Sequence, residues 1–172
     1  KDYDTALLII KEAENILEPV VPNLKEDEMY LSMLLEVRGL CLSELHRIEG
    51  PSLLRESLSA RIKQHGETHR LVAETKARLA YHIEDFMEAD RLFSSALETL
   101  YQLYQKNNHF IADCYFLIGQ YLLKLNRQDL AQLYFLETLR IRRIEFPEHY
   151  DRHYQVDEIK GLLCESGMRL EA

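Results

Sequence analysis

Apolar residues return every three or four positions along most of this chain, and the runs that carry the rhythm are long. That spacing matches the 3.6-residue period of an amphipathic helix. It predicts helices over residues 1–17, 28–47, 52–64, 69–83, 85–106, 110–125, 128–145 and 155–170. The breaks between them carry turn chemistry. Pro19 and Pro22 cannot continue a helix without losing a backbone bond, and residues 23–28 read as an acidic linker. Gly50-Pro51 is expected to end one helix and start the next, with Pro51 in a first turn where its missing N–H costs nothing. Gly66, Asn107-Asn108, Asn126 and Pro147 mark the later breaks. No run of Val, Ile and Thr alternates with polar residues, so strands are not expected. The fold class is all-α, about eight helices joined in antiparallel pairs by short connections.

Two of the helical stretches repeat each other. Phe86-x-x-Ala89-x-x-x-Phe93-x-x-x-Leu97 recurs 42 positions later as Gln128-x-x-Ala131-x-x-x-Phe135-x-x-x-Leu139. A small residue followed at helical spacing by an aromatic and a Leu lets one helix pack closely on a sister helix. Supersecondary units repeated at this length predict a right-handed α-solenoid, each unit burying its apolar face on the next. Tyr3-x-x-Ala6-x-x-x-Ile10-x-x-Ala13 has the same anchors, so residues 1–17 read as the second helix of a pair whose first helix lies upstream. With no initiator Met, the chain reads as a fragment of a longer protein and as one helical-repeat domain over 1–172. The pairs are then 28–64, 69–106 and 110–145, and 155–170 covers the open end.

These anchors resemble those of the tetratricopeptide repeat, a helix–turn–helix of roughly 34 residues. The longer spacing resembles the kinesin-light-chain type. Residues 57–73 are similar to that group's A-L-x-I-R-x4-G-x2-H-P-x-V-A segment, matching at Leu58, Arg61, Gly66, His69, Val72 and Ala73 and departing at Ser57, Ala60 and Arg70. Later copies match less: Ala96-Leu97 and Ile111-Ala112 are present, but Gln105 and Asn108 stand where the Gly and His would be. The resemblance covers about three quarters of the chain and implies a fold; it implies little about function, because such repeats serve unrelated pathways.

Composition narrows the role. A net charge of −8 repels a phosphate backbone, and only Arg140, Arg142 and Arg143 form a local basic group, so nucleic acid is not the expected partner. A protein or peptide partner, basic if charge has a say, is favoured. No apolar run is long enough to cross a membrane. Cys41, Cys114 and Cys164, odd in number and far apart, suit reduced thiols in a cytoplasmic protein. Neither catalysis nor a cofactor is expected: no nucleophile–base grouping and no Gly-rich phosphate loop is legible. His65 and His69 have the four-residue spacing of a metal pair, but Gly66 lies between them and no third ligand follows. Loop and helix-capping roles fit those histidines, and His149 and His153, better. Glu26, Asp27 and Glu28 lack the alternation of a calcium loop. The tyrosines at 101, 104, 115, 121, 134, 150 and 154 fit packing between helices.

In the tetratricopeptide family the first helix of each pair lines a concave groove. Aligned on the anchors, the resemblance puts Glu36 and Leu40 there, then Glu74, Arg78, Tyr81 and His82, then Asp113, Phe116, Gln120 and Lys124. Helical spacing sets Glu74, Arg78 and His82 on one face and Asp113, Phe116, Gln120 and Lys124 on another. The mixture suits a peptide clamped by side-chain hydrogen bonds. Lys and Asn do not recur where chaperone-binding members hold a C-terminal carboxylate, so that ligand is disfavoured. The expected function is a non-catalytic interaction module, an adaptor or scaffold. A self-associating segment and a helical accessory domain of a larger enzyme are the alternatives.

Overall fold

A computed structural model describes residues 2–17, 28–148, 150 and 153–165. Among these there are eight α-helices and no strand: α1 (Tyr3–Leu17), α2 (Glu28–Glu44), α3 (Glu49–His65), α4 (Arg70–Tyr81), α5 (Phe86–Leu103), α6 (His109–Lys124), α7 (Gln128–Glu145) and α8 (Tyr154–Glu165). The all-α, repeat-like class is therefore the observed one, with packing between consecutive helices. Pro19, Pro22, the linker residues 23–27 and the expected end of the last helix at 166–170 lie outside the described residues. The helices gather into two compact units, Lys1–Ser95 and Ala96–Ala172, and α5 supplies residues to both.

In the first unit α2 and α3 form the tightest pair. A Cβ on Gly39 would lie 2.9 Å from Leu54 Cγ and 3.0 Å from the Gly50 carbonyl oxygen, so only glycine permits this approach. Leu54, Leu79 and Ile83 form the core, with Leu40, Leu58 and Leu92 packed around them. Gly50 is pressed onto Ser43, where any side chain would collide with the α2 backbone. Pro51 lies in the first turn of α3 as expected, but Gly50 lies inside that helix rather than ending α2, and the turn sits earlier, at His46. His46 has φ 54°, and Arg47 N–H donates to the Leu42 carbonyl at 2.8 Å, capping the end of α2. Asn126 repeats this device at φ 57°, with Arg127 N–H donating to Leu122 at 2.9 Å.

The second unit reproduces the interlock with larger pieces. A Cβ on Gly119 of α6 would stand 2.5 Å from Phe135 of α7, a fully buried ring that also meets Phe116. Buried hydroxyls repeat as well. Ser57 donates to the Ser32 carbonyl at 2.7 Å, and Thr138 lies 3.4 Å from the Ala112 carbonyl. Ala89, Phe93, Ala131, Phe135 and Leu139 are all buried, as the repeat requires. Gly50, Leu54 and Leu58 are a third copy of the same anchors, missed in the sequence because Gly and Leu replace Ala and Phe. On α1 the anchors are less covered: Ala6 and Ile10 are half-buried and Ala13 is exposed.

Phe135→Ala is expected to cost about 3–5 kcal/mol of stability, since the emptied volume faces a glycine that cannot fill it. Gly119→Ala is expected to cost about 1–3 kcal/mol by overpacking the same contact. Urea denaturation checks both, and a loss below about 1 kcal/mol for Phe135→Ala would contradict the interlock.

Candidate functional site

The first-helix residues expected to line a groove fall into two separate groups, one in each unit. In the first unit Glu36 is 5 % exposed and Arg61 is 4 % exposed, and they form a buried ion pair at 2.8 Å. Thr75 completes the cluster. Its hydroxyl accepts from Arg61 Nη1 at 2.6 Å and lies 2.9 Å from Glu36 Oε1, to which it can donate. The second carboxylate oxygen of Glu36 takes Arg78 at 2.9 Å. Glu36 is thus a core anchor for α3 and α4 rather than an open contact. Leu40 likewise packs on the core.

Beyond that cluster the surface opens. The Arg78 side chain is 36 % exposed and lies 3.8 Å from Glu74, which pairs with Arg70 at 2.5 Å. Tyr81 is half-buried and meets His82 edge-on with ring centroids 4.8 Å apart, and His82 lies 3.8 Å from Glu44. On α2, Met29, Met33 and Val37 are exposed one turn apart. Helical spacing sets this row along one face of α2, next to the Glu36 and Leu40 positions. Its four-residue period could have been read from the sequence.

In the second unit the expected groove residues serve the fold. Phe116 is 6 % exposed against Phe135, so it is core and not a contact for ligand. Asp113 accepts from Arg142 and, at 2.6 Å, from Gln155 of α8. Gln155 Oε1 in turn accepts from Arg142 at 2.7 and 3.0 Å. Gln120 donates to Glu158 of α8 at 2.9 Å. The end helix therefore covers this face of α6, while Lys124 stays exposed at its end. Arg142 does here what Arg61 does in the first unit: a buried guanidinium joins its own pair to the next first helix.

The histidines cap helices. Nδ1 of His69 accepts from Leu71 N–H at 3.3 Å and Nδ1 of His153 accepts from Gln155 N–H at 3.3 Å, the place Asn108 takes on α6. His65 stacks on His69 at 4.3 Å. His149 lies outside the described residues. Burial, and for His69 the neighbouring His65, holds both capping imidazoles below the ordinary histidine pKa; Arg142 adds to this at His153. Tyr115 and Tyr101 share a hydroxyl contact, and burial pushes Tyr115 well above the phenolic range. Tyr121 is buried, Tyr104 rests on Phe110, and Tyr150 lies between Arg143 and Lys160 at the foot of α8. Tyr101 and Tyr154 are the exposed members. Burial also raises the pKa of the Cys114 thiol far above that of a reactive cysteine. Among the described residues no three His, Cys, Asp or Glu side chains come together as a metal site, and no helix is long and apolar enough to cross a membrane.

No protein-family model matches the sequence, and no curated protein matches it.

Arg61→Ala is expected to cost about 3–5 kcal/mol, because it strips a buried carboxylate of a buried partner. The double change Glu36→Leu, Arg61→Leu should cost less than that single one, and urea midpoints for the set decide it. The depressed histidine pKa values set a pH window. Each imidazole contributes its stability in full above the ordinary histidine pKa, and that contribution is lost as pH falls through the lower native value. Melting temperature should fall between about pH 7 and pH 5, and His69→Asn with His153→Asn should flatten the fall, since Asn caps without titrating in that range.

Proposed function

We propose that this chain is a non-catalytic protein-interaction module of tetratricopeptide type, acting as a cytoplasmic adaptor or scaffold. The partner segment lies on the α2–α4 surface of the first unit. An apolar side chain of the partner packs on Met29, Met33 and Val37, and a polar or charged neighbour meets Glu74 and Arg78. The observation that carries this reading is the exposed apolar row on α2, the helix whose buried carboxylate also fixes a half-exposed arginine of α4. Methionine suits such a role because its flexible thioether adapts to differing partners. Arg78 is held ready by Glu36, so little side-chain freedom is lost on binding.

A displayed library of random peptides, panned on this chain, provides the test. Enriched sequences should bind the native chain and lose more than about tenfold in affinity to Met33→Glu and to Arg78→Ala, both with unchanged helicity. Absence of enrichment, or peptides indifferent to both changes, would count against the surface.

A further inference from the structure

The chain carries ten tyrosines and no tryptophan, so phenol is the aromatic group in it that most readily gives up an electron. Two of those phenols meet. Tyr101 of α5 and Tyr115 of α6 stand with their hydroxyls in contact, and both belong to the second unit. A tight corner between the two helices fixes this meeting. The Tyr104 N–H donates to the Leu100 carbonyl at 2.9 Å, which keeps the end of α5 wound, and the Tyr104 ring lies 5.3 Å from that of Phe110. The Phe110 N–H in turn donates to the Asn108 side chain at 3.0 Å, which starts α6. The helices leave residues 104–108 with Tyr101 and Tyr115 toward one another.

Helix α7 closes the site. Its Arg140 donates to Asn107 Oδ1 at 3.0 Å and to both carboxylate oxygens of Glu137, at 2.6 and 2.8 Å, so α7 is tied to the same corner. Tyr134 of α7 places its ring 5.5 Å from that of Tyr115. Access differs within the pair: Tyr101 is 42 % exposed, whereas Tyr115 is partly covered. A reagent in solution reaches Tyr101 first, and the hydroxyl contact links it to the covered ring. Two phenols held in contact need no diffusion to find each other, and that proximity favours their coupling over other fates of an oxidised ring.

We propose that Tyr101 and Tyr115 are a site of oxidative modification, where a haem peroxidase using hydrogen peroxide joins the two rings into an intramolecular dityrosine. Each phenol gives one electron to the oxidised haem and one proton to water. The two phenoxyl radicals form a carbon–carbon bond between positions ortho to the oxygens. The hydrogens on those carbons then shift to the oxygens and restore both phenols. One peroxide molecule takes up the two electrons and two protons and leaves as two molecules of water. The new bond staples α5 to α6 across a corner that otherwise rests on noncovalent contacts.

The test treats the whole chain, dilute, with a haem peroxidase and equimolar hydrogen peroxide, then reduces any disulfides and digests with trypsin. Cleavage after Arg91, Lys106 and Lys124 puts Tyr101 and Tyr115 in separate peptides, 92–106 and 107–124. The oxidised monomer should be lighter by two hydrogens, show the fluorescence of dityrosine and yield those two peptides joined, with fragment ions placing the bond at Tyr101 and Tyr115. Tyr101→Phe, a change at an exposed ring that should leave circular dichroism unchanged, should lower the joined product more than about tenfold. Oxidation of the native chain in urea should lower it as far, since the pair then no longer meets. No joined peptides, an equal yield in urea, or an equal yield from Tyr101→Phe would each overturn the proposal. The site lies in the second unit, so peptide binding at the α2–α4 surface has no bearing on the result.

Discussion

Within the pairs α2–α3 and α6–α7, a residue without bulk on the first helix faces a large one on the second. Gly39 against Leu54 and Gly119 against Phe135 bring two helix backbones closer than any other residue pair here would permit. Dispersion falls steeply with separation, so this closeness decides how many atoms of each helix touch. Burial of the remaining side chains follows once the axes are fixed. The charged clusters, the caps and the surface rows all take their positions from that spacing.

Between successive pairs the connection is of another kind. Arg61 and Arg142 are buried cations, each bonded to a carboxylate on its own pair and a polar side chain on the next first helix. Such groups are poor sources of net stability, because desolvating them offsets most of the attraction. Their value is geometric: the fork of a guanidinium accepts partners only in fixed directions. Leu54 and Phe135 set how closely the two helices of a pair approach, whereas Arg61 and Arg142 define how the next helix must be turned.

Much of the fold could be read from the chain because its helices are long and strongly periodic. The limits of α7 follow from Asn126 and Pro147, and Gly66 ends α3 with φ 80°. The turn at His46 was hidden, since a left-handed backbone is uncommon for any residue but glycine and the nearby Gly50-Pro51 is the stronger signal. The Gly50, Leu54, Leu58 copy was hidden by substitution of both anchors. The surface was less legible than the core. Alignment placed the candidate residues on the first helices of the pairs, but a face seen in sequence does not reveal what covers it. Phe116 is covered by its own neighbours, Asp113 and Gln120 are engaged by α8, and Glu36 lies inside a network whose other members come from elsewhere in the chain.

The Arg position of that network has a consequence for how such a chain can have grown. Leu100 holds on α5 the place that Arg61 and Arg142 hold on α3 and α7, and it is equally buried. At this position the second helices therefore alternate between a guanidinium and a hydrocarbon side chain. A duplication or exchange that set α3 before a first helix bred for Leu100 would strand a guanidinium in hydrocarbon. Leu100 placed before Thr75 would leave that hydroxyl without the guanidinium it accepts from. Exchange of neighbouring helix pairs would therefore carry an electrostatic cost as well as a steric one.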